Sequence, residues 1–255
     1  MIYTNPIIKA SFIKRPNRFV AHVMLQGKEE IVHVKNTGRC RELLVPGATV
    51  YLEDCRHNPG RKTRYSIITV EKGDMLVNMD SQAPNEAVAE GVLSGHIPFL
   101  HRVTNLRREV TFGGSRFDMM VEGLDQAGHV QQGYIEVKGV TLEQDGISAF
   151  PDAPTTRGAR HVLELADAAA KGYQAAVIFL VQMRGPHLFV PHWERDSLFG
   201  RALVEAKRAG VKIWAYDSVV SLTSMEVGNA LPVDLSLNLG LQPIPVTSLS
   251  DDYHR

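Results

Sequence analysis

The sequence is poor in cysteine and has no long apolar run. Its 255 residues include only Cys40 and Cys55, with no CxxC and no nearby histidine pair, so a zinc site is disfavoured. Two reduced, packed thiols are expected, and a single disulfide is the less favoured alternative. No apolar run approaches the ~20 residues of a membrane span. The first residues, MIYTNPIIKASF, lack the basic-then-apolar layout of a secretory signal. We therefore expect a cytoplasmic protein that does not contact a membrane.

A net charge of zero conceals an uneven distribution of charge along the chain. Lys and Arg number 28, as do Asp and Glu. Residues 1–80 carry a net charge of +5, however, and residues 81–255 carry −5. Such a division is typical of a protein in which one part binds a polyanion while the other holds cations or performs chemistry.

The pattern of the first 82 residues predicts a small all-β domain without a helix. Turn signals at Gly27, Pro46-Gly47, Pro59-Gly60 and Gly73-Asp74 separate short apolar runs. Five strands are predicted, over residues 18–25, 30–34 and 65–71, after Pro46-Gly47, and after Gly73-Asp74. Five short strands in about 80 residues favour an OB-fold-like barrel, although other small barrels have a similar spacing of strands and turns.

Basic residues in this half cluster near turns and strand ends, close to the rings of Phe12, Phe19 and Tyr65. Positive charge beside rings on which bases stack is how such barrels bind nucleic acid. The alternative is that these charges only keep a small domain in solution. The turn-forming segment at 36–38 offers backbone N–H groups to a phosphate. The DNA-binding candidates of this half are Arg15, Arg18, Asn36, Thr37, Arg39, Arg41, Arg61, Lys62 and Arg64.

Residues 83–242 have the pattern of an α/β domain with a mixed central sheet. The order is a helix capped at Asn85, three strands, a helix near 155–171, a buried strand, a helix and a last strand. The buried strand is predicted from the continuous apolar run QAAVIFLVQM. Residues 243–255 are predicted to form a flexible tail.

Two of the three consecutive strands place acidic residues among apolar ones. In RFDMMVEG, alternation puts Phe117 and Met119 on the face opposite Asp118, and in YIEVKGV it puts Glu136 and Lys138 on one face. If these strands pair, the two carboxylates lie side by side with the lysine one position further along. E-x-K is also common on exposed strands, where the ion pair contributes little, so that alternative stays open.

Two carboxylates and a lysine are what phosphodiester hydrolysis with Mg²⁺ (or Mn²⁺) requires. Hard cations take one or two carboxylates and complete their shell with water and phosphate oxygens. The cation polarises the phosphate, and the ammonium orients the nucleophile or stabilises developing charge. Glu86 is a possible third metal ligand, although a simple charge in the first helical turn is the commoner reason for a glutamate there.

A second polar pair begins the next helix. In FPDAPTTRGARH, Arg157 and His161 are four residues apart and hence share a helix face near the N-terminal end, where anions are favoured. They are candidates for a phosphate clamp. The alternative is that both residues are merely exposed on a solvated helix face.

The element order of the second half resembles the core of restriction-endonuclease-like enzymes, the PD-(D/E)xK superfamily. Phe117 stands where the motif is named for proline, while Asp118, Glu136 and Lys138 are all present. A literal Pro151-Asp152 occurs later, but no E-x-K on a strand follows it.

Over most of its length the chain resembles the sugar fermentation stimulation protein A family. The resemblance rests on RFVAHV, VHVKNTGRCRELLVPG, SRFD, YIEVKGVTL, FPDAPTTRGARH and LPVDL. It implies an OB-type domain before a nuclease-like domain, in a cytoplasmic prokaryotic DNA-binding protein that regulates sugar metabolism, notably that of maltose.

Two hypotheses follow for the function. The first is a Mg²⁺-dependent DNA nuclease whose basic barrel holds the substrate. The second is a DNA-binding regulator without catalysis. A sugar-binding module is disfavoured because the chain has two tryptophans and no evident stacking platform. The expected partner is DNA, and nothing in the sequence specifies an oligomeric state.

Overall fold

The computed structural model describes residues 1–36, 38–58 and 60–237. Thr37 and the predicted tail at 243–255 lie outside the described residues. The barrel strands end at Asn78 and the first helix begins at Ala83.

The N-terminal domain is a barrel of antiparallel strands closed by one parallel pairing. The order is β3-β2-β1-β4-β5-β6, and β3 also pairs with β5 through His33↔Ser66 and Val34↔Ile67. A five-stranded barrel closed in this way has the predicted OB-fold, which is confirmed. The strands are β1 (Ile7–Asn17), β2 (Val20–Leu25), β3 (Lys28–Val34), β4 (Thr49–Asp54), β5 (Tyr65–Lys72) and β6 (Met75–Asn78).

The first barrel strand was not among the five that the sequence predicts. β1 pairs with both β2 and β4, whereas β6 extends the sheet beyond the barrel. The register of β1 shifts between Phe12 and Lys14 and again before Asn17, and only Ala10 and Phe12 are buried in it. These irregularities break the alternation from which a strand is recognised.

The second domain has a mixed central sheet, as predicted, but with six strands rather than the five expected, and helices pack on both of its faces. Its order is β15-β14-β12-β9-β8-β7, with β9, β12 and β14 parallel and the other pairs antiparallel. The elements are α1 (Ala83–Leu93), β7 (Arg102–Phe112), β8 (Ser115–Leu124), β9 (Val130–Val140), α2 (Thr156–Ala170), β12 (Gln174–Val181), α3 (Ser197–Arg208), β14 (Lys212–Val220) and β15 (Met225–Leu231).

Three very short strands form a separate small sheet that the sequence did not predict. They are β10 (Glu143–Gln144), β11 (Ile147–Phe150) and β13 (Leu188–Pro191). Strands of two to four residues are too short to show an alternating pattern.

The first helix begins earlier than predicted. Its N-cap is Gln82, which makes no side-chain cap, and Pro84 lies in the first turn. Asn85 therefore lies inside α1 rather than capping it, because proline pre-sets the backbone for a helix start. Its amide is free to point towards the sheet.

The two domains share one hydrophobic core. A single cluster of buried side chains contains Phe12 and Val50 of the barrel together with Phe117 and Leu203 of the second domain. Gln182, which follows β12, donates its amide to the carbonyl oxygens of residues 78 and 80 at 3.0 and 3.1 Å. The barrel is thus packed directly against the α/β domain.

The two cysteines are buried and unbonded to each other, which confirms the prediction of reduced thiols. Burial raises the pKa of the Cys40 thiol to about 12. In the described part of the chain, no helix has the length and apolarity needed to cross a bilayer.

Candidate active site

The predicted carboxylates and lysine line one cleft between β8, β9 and the start of α2. The cleft has a volume of about 350 Å³. Asp118, Glu136 and Lys138 all contribute to its wall, so the structure brings the three residues together. Its other lining residues are Ser81, Asn85, Glu109, Arg116, Phe117, Val137, Thr155, Arg157, Gly158 and His161.

A change of sheet face in β8 positions Asp118. Phe117 packs into the core shared with the barrel, whereas Met119 packs into the cluster beneath α1. The prediction that Phe117 and Met119 share a face is therefore wrong. Pairing with β9 ends at Met119↔Ile135, and beyond it the Asp118 Oδ2 atom accepts the Val137 N–H at 2.7 Å. The carboxylate is thus inserted where the two strands separate, as irregular strands near active sites often re-aim a side chain.

Asp118 is a carboxylate whose ionised form is disfavoured by its surroundings. Burial, followed by the charge of Glu136, raises its pKa. Hydrogen bonds from Val137 N–H and from Asn85 Nδ2, the latter at 2.8 Å to Oδ1, oppose the shift without cancelling it. Two neighbouring carboxylates, one buried and one half-buried, favour a bound cation.

Glu136 is almost fully buried, with 3% of its surface exposed. Its Oε1 atom accepts hydrogen bonds from Lys138 Nζ at 2.6 Å and from His161 Nδ1 at 2.7 Å. Its Oε2 atom is buried and has no hydrogen-bond partner. A buried carboxylate oxygen without a partner is energetically costly, and a cation beside it removes that cost.

The donor set suits a hard divalent cation held mainly through oxygen. Asp118 and Glu136 supply two carboxylates, which is the number that Mg²⁺ commonly takes from a protein. Within the described residues, no group of three His, Cys, Asp or Glu side chains is arranged to bind a metal ion. The rest of a cation's shell would therefore come from water and phosphate oxygens.

His161 is buried rather than exposed and connects Arg157 to Glu136. The Arg157 Nε–H lies 3.3 Å from His161 Nε2. Because a guanidinium only donates, Nε2 is the acceptor and the ring proton lies on Nδ1, which donates to Glu136. The Thr155 hydroxyl caps α2 by accepting the Gly158 N–H at 3.0 Å. The alternative that both residues are merely exposed on a solvated helix face is therefore wrong for His161, whereas Arg157 is indeed exposed.

Glu86 does not join the two carboxylates. Its Oε2 atom accepts a hydrogen bond from Arg108 at 2.9 Å, and its side chain is 51% exposed. It does not line the cleft. Asn85, its neighbour in α1, is the residue of that turn that contacts Asp118.

Arg15 supports Asn36, Gly38 and Arg39, the described residues of the 36–39 loop, instead of projecting into solvent. Its guanidinium donates to the carbonyl oxygens of Asn36, Gly38 and Arg39 at 2.6 to 2.8 Å. Asn36 accepts the Gly38 N–H through its own side chain, as expected of a turn. The Arg39 N–H in turn donates to Asp152 of the second domain at 3.0 Å. The loop therefore lies against the α/β domain.

The other barrel candidates divide into internal and exposed groups. Arg61 donates to Ser66 Oγ at 2.5 Å and to Cys55 Sγ at 3.4 Å, so it serves the barrel itself. Phe12 and Tyr65 are buried, and the prediction that they stack on bases is wrong, whereas Phe19 is 51% exposed. The exposed cations are Arg18, Arg39, Arg41, Lys62 and Arg64.

Several lining residues were missed by the sequence-based argument. The sequence predicts Asn85 as a helix cap rather than as a site residue, and Thr155 is recognisable as a cap only once the start of α2 is known. Glu109 lies on an exposed stretch of β7 that carries no motif, and Arg116, although part of SRFD, is an exposed residue to which the sequence assigns no role.

An OB-type barrel packed on a nuclease-like α/β domain defines a class of two-domain proteins with a restriction-endonuclease-like fold. Two family models match this chain, "Sugar fermentation stimulation protein RE domain" over residues 82–224 and "SfsA N-terminal OB domain" over residues 13–79. The chain belongs to the sugar fermentation stimulation protein (SfsA) family.

Relatives and a solved structure match nearly the whole chain. A sugar fermentation stimulation protein homolog of Alkaliphilus oremlandii is 52% identical over 89% of this chain and 97% of its own length. A homolog of Clostridium botulinum (strain Hall) is 50% identical over 92% and 100%. A structure described as Pyrococcus furiosus SfsA in complex with Ca²⁺ has a TM-score of 0.80 and 27% identity, and the match covers 91% of this chain and 97% of that one.

Proposed function

We propose that this protein is a divalent-metal-dependent DNA nuclease whose active site is the cleft around Asp118, Glu136 and Lys138. The observation that carries the proposal is the buried, unpartnered Oε2 atom of Glu136 close to a second, half-buried carboxylate, Asp118. A fold that keeps such an arrangement sacrifices stability for a function, because packing alone would favour apolar or paired groups there.

Asp118 and Glu136 would hold the cation, with Mg²⁺ or Mn²⁺ as the expected ion. When bound, such an ion polarises a phosphate and lowers the pKa of a water molecule. The Pyrococcus furiosus relative was solved with Ca²⁺, another hard cation that prefers oxygen ligands, and this supports the assignment.

Lys138 and Arg157 provide positive charge on two sides of the cleft. Lys138 Nζ is held 2.6 Å from Glu136 Oε1 and is thereby placed to orient a water molecule or to stabilise charge on the phosphate. Arg157 lies in the first turn of α2, where the helix dipole also favours an anion. Both residues are positioned by buried groups before any substrate arrives.

The barrel is the proposed substrate clamp. Its exposed arginines and Lys62 follow the turns, and Phe19 at the β1–β2 turn offers a ring to a base, with Arg18 lying 5.9 Å from the ring centre. The 36–39 loop lies against Asp152, which is three residues before the α2 cap. Bound DNA would therefore run from the barrel towards the cleft.

A second candidate is a DNA-binding regulator of sugar metabolism, notably of maltose use, that does not cut. One observation favours it: protein hydrogen bonds already occupy both oxygens of Asp118 and one oxygen of Glu136. A cation would have to compete with these donors.

A cleavage assay distinguishes the two candidates. Supercoiled plasmid and single-stranded DNA are incubated with Mg²⁺, Mn²⁺ or EDTA, using wild type beside Lys138→Ala. We expect metal-dependent nicking by the wild type and a loss of at least about 100-fold in Lys138→Ala, because the variant loses a positioned charge at the phosphate. The matched control is Lys212→Ala, which removes a half-buried lysine of β14 in the same sheet, outside the cleft.

Equal cleavage by wild type and Lys138→Ala would contradict the proposal. DNA that is bound under every metal condition but never cut would instead support the regulator.

A further inference from the structure

Glu109 has a backbone conformation that is rare inside a strand. Its φ is +59°, in the left-handed region that disfavours residues other than glycine. Four described residues other than glycine have positive φ, and Glu109 is the one that lies within a strand. The register of β7 and β8, with Arg108↔Met119 and Val110↔Phe117, places Glu109 opposite Asp118.

At Glu109, strand β7 changes the face that it packs, as β8 does at Asp118. Leu106 packs into the cluster beneath α1, whereas Val110 packs into the core on the other side of the sheet. Glu109 and Asp118 thus form one irregular cross-strand position, and both line the cleft. The irregular backbone of Glu109 thus lies directly across from the carboxylate that enters the cleft.

The Glu109 carboxylate forms an ion pair with Arg116, which also lines the cleft. The two side chains are 55% and 61% exposed. An ion pair this exposed contributes little to stability. A phosphate, by contrast, accepts two parallel hydrogen bonds from a guanidinium. A phosphate entering the cleft would therefore replace Glu109 as the partner of Arg116.

Arg116 differs from the other two cations of the cleft in its partner. Lys138 and Arg157 are held by Glu136 and His161, both of which are buried. Arg116 is held by an exposed carboxylate.

We propose that Arg116 is a phosphate-binding residue of the cleft and that Glu109 occupies its guanidinium until a DNA phosphate displaces the carboxylate. This inference rests on the proposed binding of DNA at the cleft. Glu109 lowers affinity for DNA by competing for that arginine and by repelling phosphate.

The test is DNA affinity in a Lys138→Ala background with Mg²⁺, measured by fluorescence anisotropy on a labelled oligonucleotide. Adding Glu109→Gly removes the carboxylate and tolerates the positive φ, so the fold is retained. We expect it to tighten binding about three- to tenfold. Adding Arg116→Gln is expected to weaken binding about tenfold and to reduce the salt slope by about 1. When Arg116→Gln is already present, Glu109→Gly should change the affinity for DNA less than twofold, because the arginine that it would release is no longer there.

The matched control is Glu86→Gln, which removes a similarly exposed carboxylate that is paired with Arg108 outside the cleft. It should change affinity less than twofold. Weaker binding by Glu109→Gly, or an equal gain with and without Arg116, would overturn the proposal. So would a higher Mg²⁺ concentration for half-maximal thermal stabilisation of Glu109→Gly, because Glu109 would then be a metal ligand. These readouts measure binding and not cleavage. A protein that never cuts DNA would refute the proposed nuclease activity, whereas the roles of Arg116 and Glu109 would still be decided by the measured affinities.

Discussion

Individual residues in the cleft show how the fold keeps two carboxylates close together. Glu136 has one oxygen satisfied by Lys138 and His161 and one that is buried without a partner. Asp118 beside it has a raised pKa because of burial and because of Glu136. Lys138 offsets part of this negative charge, and a cation at the unpartnered Oε2 atom would offset the rest.

Metal binding should accordingly stabilise the folded protein. A ligand at about 100 times its dissociation constant adds about 2.7 kcal/mol to the free energy of unfolding. For a chain of this size we expect Mg²⁺ or Ca²⁺ at that level to raise the melting temperature by about 5 °C or more. Differential scanning fluorimetry with and without the metal measures this shift.

Asp118→Asn should abolish the shift, while Glu86→Gln should retain it because Glu86 pairs with Arg108 away from the cleft. A shift that persists in Asp118→Asn would place the metal elsewhere, and loss of the shift in Glu86→Gln would restore Glu86 as a ligand.

Three of the residues that line the cleft can be predicted from the sequence, and others cannot. Asp118, Glu136 and Lys138 follow from strand alternation and an expected pairing of β8 with β9. Asn85 and Glu109 could not be found, because their contacts depend on where α1 begins and on an irregular backbone position. Such positions follow from tertiary packing and leave no periodic signal.

Among the elements, the 36–39 loop connects the two domains through backbone groups. Arg15 holds three of its carbonyl oxygens, and Asp152 accepts the N–H of Arg39. Gly38 lies so close to this contact that an added Cβ would be 2.6 Å from Asp152 Oδ2 and 2.9 Å from Asn36 Oδ1.

Gly38→Ala should therefore destabilise the protein. Asp152 must move to admit the methyl group, and it then loses its hydrogen bond to Arg39, a loss of about 1 kcal/mol in the free energy of unfolding. Urea unfolding followed by circular dichroism measures the change. The matched control is Gly60→Ala, where the nearest atom to an added Cβ is Asn58 Oδ1 at 3.6 Å. Equal stability of the two variants would show that the loop does not depend on this contact.

Elements with strong periodicity were predicted well, and irregular ones were not. Strand β12 and helix α2 have continuous or amphipathic patterns and occur where expected. Strand β1 was missed because two register shifts interrupt its alternation. The small sheet of β10, β11 and β13 was missed because its strands are too short to carry a pattern.

For the molecule as a whole, the uneven charge distribution separates a basic barrel from an acidic α/β domain. Some barrel cations support the fold, as Arg15 and Arg61 do, so total charge overstates the number available to DNA. The exposed ones, such as Arg41, are the expected phosphate contacts.

Arg41→Gln should weaken binding to all DNA sequences alike. Each neutralised phosphate releases counterions, so the slope of log affinity against log salt should become shallower by about 1. Anisotropy titrations over an about fourfold range of salt concentration, roughly 50 to 200 mM, measure that slope. The matched control is Arg201→Gln, an exposed arginine of α3 in the acidic domain, which should leave the slope unchanged. An unchanged slope in Arg41→Gln would remove this residue from the DNA-binding surface.

One hydrophobic core extends from Phe12 of the barrel to Leu203 of α3, so the barrel and the cleft are held at a fixed separation. For the proposed nuclease, a fixed separation means a constant number of nucleotides between the segment bound by the barrel and the bond that is cut. The proposal therefore predicts that the fragments end at a uniform offset from the barrel-bound segment, like lengths measured with a ruler.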